Sequence, residues 1–438
     1  MNVLHVIPSL SVKEGGPSFA ATAMAEALAG QGVQVTVATT TASREQEAGS
    51  EEREDASTER RGYNYEEGVA GEEDAGSGGH GEGAAASDRG YNIIWFRREF
   101  EPYKVSFGLA KWLSRNVTKF DLIHIHALFS FSSARAARIA LKNEVPYIVR
   151  PLGVLNRWGM QNRRRIPKLI SFRFVELPIL LRAAAIHYTS EVERDEAALL
   201  DARLAEHESA VIPLPIEPRA WSKEQGAASK EPFFAQFPEA QGKRIILFLS
   251  RIDRKKGLEL LIDAFEMVRE KNKDVALVIA GDGEESYVRE LRERARSNLR
   301  SGSASGSACP TNPEKEAAII WTGHLGGKMK AAVLAAADVF VLPSASENFG
   351  IAAAESLAAG VPTIVSEEVA LSSDIRRYDA GVVVKRDVQQ LAAAIGDLLS
   401  NREQAAALGA NGRRLAQERY SPEAVGKALH QLYQKIIS

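Results

Sequence analysis

The sequence is poor in cysteine and carries almost no net charge. Cys309 is the single cysteine, which excludes an internal disulfide framework and a cysteine-rich metal site. The 55 lysine and arginine residues nearly balance the 57 aspartate and glutamate residues, so the formal net charge is -2. A chain with this balance gives no indication of a nucleic-acid partner.

Long apolar runs are missing as well. No run reaches the roughly 18 residues that a membrane-spanning helix needs. Residues 1–7 lead directly into a strand pattern, without the pattern of a secretory signal peptide, so the cytoplasm is the expected location. The 438 residues, of which 45% are hydrophobic and 26% charged, predict a globular protein with two domains.

Predicted strands and helices alternate along the chain. Apolar strand segments lie at residues 3–7, 34–38, 92–96, 121–126 and 146–149 in the first half, and at 244–250, 275–280, 319–321 and 338–342 in the second. This alternation implies parallel, doubly wound α/β sheets, whose ligands bind at the carboxyl ends of the strands.

Two low-complexity segments interrupt this pattern, at about 42–90 and about 297–312. The first is rich in Glu, Gly, Ala and Ser and has almost no large aliphatic residues. Such a segment buries too little apolar surface to offset the entropy of ordering it, so we expect a disordered insertion in a surface loop.

The stretch from residue 346 to 362 organises the candidate site. It follows an apolar strand and enters an Ala-rich helix that Gly360 ends. The first N–H groups of this helix, around Gly350 and Ile351, carry partial positive charge and suit a phosphate. Glu347 precedes the helix and Glu355 lies within it, with seven residues between them. Because carboxylates repel phosphate, hydroxyl groups of a sugar or ribose are better partners for these two side chains. The alternative is that both are ordinary solvated glutamates without a binding role.

Weaker candidates lie elsewhere. Arg251 and Lys256 follow a strand and could stabilise a diphosphate in a transition state, although a lone basic cluster is more often a solvated loop. Gly15 and Gly16 form a strand-to-helix turn that a ligand can approach closely, and loops often contain such pairs. His126, with its neighbour two residues earlier, could hold a metal, but no third ligand is evident, and a buried or merely polar histidine is the alternative.

Two helical segments of the first half have predicted roles. The segment that begins at Arg157 and ends at Arg173 is basic and partly amphipathic. It could contact an anionic membrane or an acidic acceptor, or it could be a solvated helix face. Ser190 and Glu193 predict a capping box at a helix start.

The central stretch resembles the E-x7-E element of the retaining glycosyltransferases called GT4, which have the GT-B fold. Residues 251–257 are similar to the R-x4-K-G loop of that family, and Gly15-Gly16 to its glycine-rich loop. The resemblance implies two Rossmann-like, doubly wound parallel-sheet domains that face each other across a cleft. The expected order along the chain is an N-terminal acceptor domain (1–213), a linker (214–243), a nucleotide-sugar domain (244–420) and a C-terminal helix (421–438) that crosses back to the first domain.

Roles follow from the resemblance residue by residue. The predicted catalytic set is Glu347, Arg251, Lys256 and His126; the predicted donor-binding set is Gly15, Gly16, Arg251, Lys256, Asn348, Phe349, Gly350, Ile351 and Glu355. Arg150 and Gly153 lie on the predicted acceptor or sugar side, and no metal is expected. The chain departs from the family near Leu152, where many members carry an active-site histidine and this sequence has none. Arg150 therefore becomes a candidate for a different role.

The resemblance implies a retaining, metal-independent hexosyltransferase of polysaccharide biosynthesis, with no cofactor besides its co-substrate. It would transfer a hexose from a nucleoside diphosphate sugar to a hydroxyl of a glycan or lipid-linked acceptor, in the cytoplasm or at the inner face of the membrane. Two alternatives stay open. A nucleotide-sugar 2-epimerase would form product without an acceptor, and a non-catalytic nucleotide-sugar binding protein of a polysaccharide assembly complex would bind without turnover.

Overall fold

The chain divides into two compact units. Unit 1 comprises Met1–Pro215 together with Pro422–Ser438, and unit 2 comprises Ile216–Ser421. This computed structural model describes residues 1–11, 16–41, 84–86, 90–156, 160, 165–216, 229–301 and 318–438.

Unit 1 is built on an eight-stranded sheet. Its strands are β1 (Asn2–Ile7), β2 (Gln34–Thr41), β3 (Ala84–Ala86), β4 (Asn92–Arg97), β5 (Leu122–His126), β6 (Tyr147–Arg150), β7 (Ala185–Tyr188) and β8 (Ser209–Val211). They lie in the order β3-β4-β2-β1-β5-β6-β7-β8, and every pair is parallel except β3 with β4. The central strands are buried along their length except at Asn2, which explains their largely apolar sequences.

The helices of unit 1 connect and cover these strands. They are α1 (Gly16–Ala29), α2 (Phe107–Asn116), α3 (Phe131–Lys142), α4 (Arg165–Ser171), α5 (Leu177–Leu180), α6 (Glu191–Leu200), α7 (Arg203–Glu206) and the C-terminal helix (Pro422–Ile437). A π-helical turn, Phe172–Glu176, joins α4 to α5. The C-terminal helix packs closely on α1, because a Cβ on Gly426 would lie only 2.4 Å from the Ala27 carbonyl oxygen.

Unit 2 is built on a six-stranded parallel sheet. Its strands are β9 (Arg244–Leu249), β10 (Val275–Ala280), β11 (Ile319–Gly323), β12 (Val339–Leu342), β13 (Thr363–Ser366) and β14 (Gly381–Val384), in the order β11-β10-β9-β12-β13-β14. Its helices are α8 (Glu231–Gln236), α9 (Leu258–Lys271), α10 (Glu285–Ser301), α11 (Gly327–Ala336), α12 (Ile351–Ala359), α13 (Ser372–Tyr378), α14 (Val388–Ser400) and α15 (Arg402–Leu415). The strand order reverses between β9 and β12, which is where sheets of this kind bind ligands.

The predicted insertions are mostly outside the described residues. Within the first, Ala84–Ala86 forms the edge strand β3, so the prediction of disorder is wrong for these three residues. Within the second, α10 continues to Ser301. Among the described helices, none is both long enough and apolar enough to cross a bilayer.

Candidate active site

The loop after β9 folds into a short 3₁₀ turn, Arg254–Lys256. Asp253 begins this turn by accepting a hydrogen bond from the Lys255 N–H, at 3.0 Å. Gly257 follows in the left-handed region, with φ of 71°, and a Cβ there would lie 2.2 Å from the Pro343 carbonyl oxygen. Only glycine permits this contact between the two loops. Arg251 is exposed, whereas Lys256 is buried.

Ser344, at the end of β12, fastens the second loop to the first. Its hydroxyl donates to the Lys255 carbonyl oxygen at 3.0 Å, and the Ala345 N–H donates to the same oxygen at 2.6 Å. The Ser366 hydroxyl in turn donates to the Ser344 carbonyl oxygen at 2.5 Å. This role of Ser344 was not predicted, because it depends on the adjacency of β9, β12 and β13.

Glu347 and Lys256 form an ion pair between the two loops. Only 17% of the Glu347 side chain and 8% of the Lys256 side chain is accessible to solvent, so water screens this pair weakly. The backbone of Glu347 is fixed by two bonds to a neighbouring segment: its N–H donates to the Glu368 carbonyl at 3.2 Å, and its carbonyl accepts from the Ala370 N–H at 3.0 Å. The structure thus joins two residues that the sequence placed ninety-one positions apart.

Glu355 has a cationic partner that the sequence analysis missed. Lys330 of α11 donates to the Glu355 carboxylate at 2.6 Å, and Glu355 is 7% exposed. Each of the two predicted carboxylates is therefore paired with a lysine from another part of unit 2. No sequence signal separates Lys330 from Lys328 in the same helix, because the proximity of Lys330 to Glu355 depends on how α11 packs against α12.

The start of α12 lies beside Glu347. Gly350 precedes the helix with φ of 89°, and a Cβ there would meet the Glu347 side chain at 3.4 Å. The first helical hydrogen bond runs from the Ala354 N–H to the Gly350 carbonyl, at 3.0 Å, so Ile351 has its N–H in the first turn, where helices lack internal acceptors. Phe349 is buried and packs edge-on against Tyr420, with ring centroids 5.5 Å apart, which anchors the loop.

The remaining donor-side predictions are placed as follows. Asn348 is partly buried in the same loop as Phe349. Gly16 is the first residue of α1, and Gly15 lies outside the described residues. Their predicted contacts with the donor stay predictions.

His126 lies in a buried polar cluster of unit 1. His5 on β1, His124 and His126 on β5, His187 on β7 and Tyr433 on the C-terminal helix are each buried. The ring nitrogens of the first three lie within 4.8 Å of one another, so a third histidine does exist beside the predicted pair. The missed signal was in the strand pattern, since parallel pairing sets His5 opposite His124.

Burial keeps these histidines neutral. It lowers the pKa of His5 to about 3 and that of His187 to about 3, with the nearby Arg150 charge acting in the same direction. The pKa values of His124 and His126 are also well below their ordinary value, chiefly because of burial. Each neutral ring has one N–H donor and one acceptor nitrogen, which restricts how the cluster can be hydrogen-bonded.

The contacts define one continuous hydrogen-bond chain. His187 Nε2 lies 2.8 Å from the Ile212 carbonyl oxygen and must donate to it, so His187 Nδ1 accepts from His124 Nε2 at 3.3 Å. His124 Nδ1 then accepts from the Tyr433 hydroxyl at 2.7 Å, and the hydroxyl oxygen accepts from His5 Nε2 at 3.2 Å.

The chain continues to the end of β6. His5 Nδ1 accepts from His126 Nε2 at 3.1 Å, and His126 Nδ1 accepts from an Arg150 N–H at 3.1 Å. Every ring nitrogen therefore has a protein partner. This arrangement fits a neutral hydrogen-bonded network better than a metal centre, because a cation would displace these bonds beside the positive Arg150. The side chain of His126 is buried within this network and is not accessible to a substrate, so the geometry does not support its predicted catalytic contact.

Arg150 and Gly153 flank a turn after β6. Arg150 is 1% exposed, and its guanidinium contacts His126 and the Met24 sulfur. Leu152 and Gly153 have φ values of 62° and 71°. Burial therefore excludes the Arg150 side chain from the surface, whereas the backbone of the turn remains a candidate contact on the acceptor side.

Ser190 caps the start of α6, as the predicted capping box requires. The Ser190 hydroxyl caps α6 by accepting from the Glu193 N–H, at 3.1 Å. The Glu193 carboxylate accepts from the Thr189 N–H at 2.7 Å and from the Thr189 hydroxyl at 2.8 Å.

The basic segment is described only from its helix onward. Arg157 and the other cations before residue 165 lie outside the described residues. Within α4 and the turn after it, large apolar side chains are exposed: Ile166 at 72%, Ile170 at 56% and Phe174 at 73%. Arg173 is exposed among them.

Family models match both halves of the chain. The model described as glycosyl transferase 4-like domain matches residues 15–215, and the model described as glycosyl transferases group 1 matches residues 243–401. Together they cover most of the sequence, including both loops of the candidate site.

Curated relatives share part of their length with this chain. Alpha-monoglucosyldiacylglycerol synthase of Streptococcus pneumoniae is 30% identical over 247 residues, which are 56% of this chain and 50% of that protein. Phosphatidyl-myo-inositol mannosyltransferase of Mycobacterium leprae is 31% identical over 214 residues, 48% of this chain and 50% of that protein. The chain spans about half the length of these relatives.

Solved structures match nearly from end to end. The Anabaena HepE structure in complex with UDP and glucose has a TM-score of 0.68 at 14% identity, and the match covers 99% of this chain and 100% of that one. Sucrose-phosphate synthase from Thermosynechococcus elongatus has a TM-score of 0.68 at 19% identity, covering 99% and 98%. These likenesses confirm the predicted fold, GT-B with two parallel-sheet α/β domains.

Proposed function

This chain belongs to the group 1 glycosyl transferases of the GT4 type, and from that premise we propose that it transfers a hexose from a nucleoside diphosphate sugar to a hydroxyl of a glycan or lipid-linked acceptor, with retention at the anomeric carbon. The observation that carries the proposal is the pair of lysine–glutamate contacts in unit 2, Lys256 with Glu347 and Lys330 with Glu355. These contacts support the proposal because each combines a cation, which suits a diphosphate, with a carboxylate, which suits hydroxyl groups. The proposed setting is polysaccharide biosynthesis on the cytoplasmic side of the membrane.

In this proposal, unit 2 binds the donor. Arg251, Lys256 and the N–H groups at the start of α12 stabilise the leaving diphosphate, whose negative charge increases as the bond from the sugar to the phosphate oxygen breaks. Glu347 accepts hydrogen bonds from the sugar hydroxyls, and Glu355 from those of the ribose.

Retention follows from attack on the face that the diphosphate leaves. The acceptor oxygen forms its bond to the anomeric carbon, and its proton passes to the departing phosphate oxygen. No protein nucleophile is needed when both partners are held close together. Since Arg251 and Lys256 supply the positive charge that a metal would otherwise supply, we expect the reaction to be metal-independent.

Donor binding is tested by thermal stabilisation. A ligand that binds only the native state raises the midpoint temperature of unfolding. At a free concentration about a hundred times its Kd, it adds about 2.7 kcal/mol to the free energy of unfolding. We expect the midpoint to rise with one nucleotide family among UDP, GDP, ADP and their sugars. A chelator should not change this rise, and Lys256→Gln should abolish it. Lys271→Gln, an exposed lysine at the end of α9, is the control and keeps the shift. No shift with any nucleotide in the parent protein would contradict the proposal.

The exposed side chains of α4 support a peripheral membrane contact as a further part of the proposal. Ile166, Ile170 and Phe174 offer apolar area and Arg173 a positive charge, which is the combination that binds an anionic lipid surface. Flotation with anionic vesicles should recover the parent protein and not the Ile166→Ser, Ile170→Ser double variant. Leu199→Ser removes a side chain of α6 that is more exposed than either isoleucine, and this control variant should still float. If the parent protein remains at the bottom of the flotation gradient, the proposed membrane contact is wrong, and the transfer proposal is unaffected.

A further inference from the structure

Glu193 connects the ends of two neighbouring strands. Its carboxylate accepts from the Gly153 N–H at 2.6 Å, after β6, and from the Thr189 N–H and hydroxyl, after β7. The side chain is 1% exposed. A helix cap alone would not require the bond to Gly153, which lies 40 positions away in the sequence.

The turn that Glu193 contacts has an unfavourable backbone conformation. Leu152 and Gly153 both have positive φ, at 62° and 71°. Leu152 has a Cβ, and L-residues with a side chain rarely adopt this region because the Cβ crowds the backbone. The bond from the Gly153 N–H to Glu193 therefore holds the turn in a conformation that the sequence does not favour locally.

The other end of the turn is fixed from inside the sheet. Arg150 donates to His126 and so joins the turn to the buried hydrogen-bond chain. Burial lowers the pKa of Arg150 to about 10, and the negative charge of Glu193 opposes this shift. Arg150 is thus a cation at neutral pH. Side chains from β6 and α6 hold the turn at both of its ends.

We propose that Glu193 is a positioning residue for the acceptor: it fixes the backbone of the turn at residues 151–153 so that the turn can contact the acceptor or the transferred sugar. The inference rests on the proposed transfer reaction, and it gives a functional role to a carboxylate that would otherwise be only a cap. The turn lies at the carboxyl end of β6, where parallel sheets bind ligands.

The test compares Glu193→Gln with Ser190→Ala. The Gln side chain has one acceptor oxygen, so its NH₂ group must face one of the backbone N–H groups that the carboxylate now accepts from. Ser190→Ala removes the cap from the same helix and leaves the Gly153 bond intact. We expect the kcat/KM for the acceptor to fall at least tenfold in Glu193→Gln and to stay within about twofold in Ser190→Ala, with the donor-induced thermal shift unchanged in both.

Hydrogen exchange gives a readout that does not depend on activity. The Gly153 amide should exchange at least tenfold faster in Glu193→Gln than in the parent, and at the parent rate in Ser190→Ala. Equal exchange in the three proteins would overturn the inference, as would equal acceptor kcat/KM in the two variants. If Glu193→Gln does not fold, Gly153→Ala, which strains the same turn, should reproduce the acceptor defect. Absence of transfer by the parent protein would contradict the proposed function, while the exchange result would still test the role of Glu193.

Discussion

Tyr433→Phe tests the buried hydrogen-bond chain at its centre. The hydroxyl donates to His124 Nδ1 at 2.7 Å and accepts from His5 Nε2 at 3.2 Å, and all three side chains are fully buried. Removing it leaves one acceptor nitrogen and one N–H donor without partners. Since each of the two buried unsatisfied groups costs about 1–3 kcal/mol, we expect a loss of about 2–6 kcal/mol in unit 1.

Native-state hydrogen exchange measures this loss separately for each unit. Peptides that contain β1 and β5 should report a lower opening free energy in Tyr433→Phe, while those from unit 2 should not change. The matched control is Tyr188→Phe: Tyr188 is also fully buried, and its hydroxyl has no hydrogen-bond partner within the described part of the chain. We expect this control to lie within about 0.5 kcal/mol of the parent. If the two substitutions lower the opening free energy equally, the proposed hydrogen-bond chain through Tyr433 is wrong.

Two further predictions concern the titration of unit 1 and donor binding by unit 2. Burial lowers the pKa values of His5 and His187 from 6.5 to about 3, so the unfolded chain takes up protons at a higher pH than the folded one does. The free energy of unfolding should therefore be highest above about pH 6.5 and decrease as the pH falls towards about 3. The slope is at most about 1.4 kcal/mol per pH unit for each histidine. Urea unfolding at several pH values measures this slope, and a flat profile would contradict it. Lys330→Met leaves the buried Glu355 without its ion pair and should raise the donor KM about tenfold, about 1.4 kcal/mol, with the exposed Lys328→Met as control. Unchanged donor KM in Lys330→Met would remove Lys330 from the site.

Much of the fold and part of the site followed from local sequence patterns. The alternation of apolar strands and helices predicted parallel sheets, and the loops after β9 and β12 came together because the strand order reverses between them. The pairing of Lys256 with Glu347 is the consequence of that topology.

The missed residues depend on packing that one segment of sequence does not reveal. Lys330 approaches Glu355 because two helices lie side by side, and His5 completes the histidine cluster because of the register of β1 against β5. Glu193 had the spacing of a capping box, but its bond to Gly153 depends on the adjacency of β6 and β7 and was not predicted. Buried polar side chains are hydrogen-bonded to residues that are distant in the sequence, and the periodic pattern of apolar residues does not reveal those partners.

The most direct test of the account is the transfer of labelled sugar by the parent protein and by Glu347→Ala, measured over a panel of nucleotide sugars with lipid and glycan acceptors. Glu347 holds the ion pair with Lys256 and is proposed to bind the sugar hydroxyls. We expect transfer by the parent from one nucleotide family and a loss of about a hundredfold or more in Glu347→Ala, about 2.7 kcal/mol of transition-state stabilisation. Full transfer by Glu347→Ala, or product formation that needs no acceptor, would contradict it.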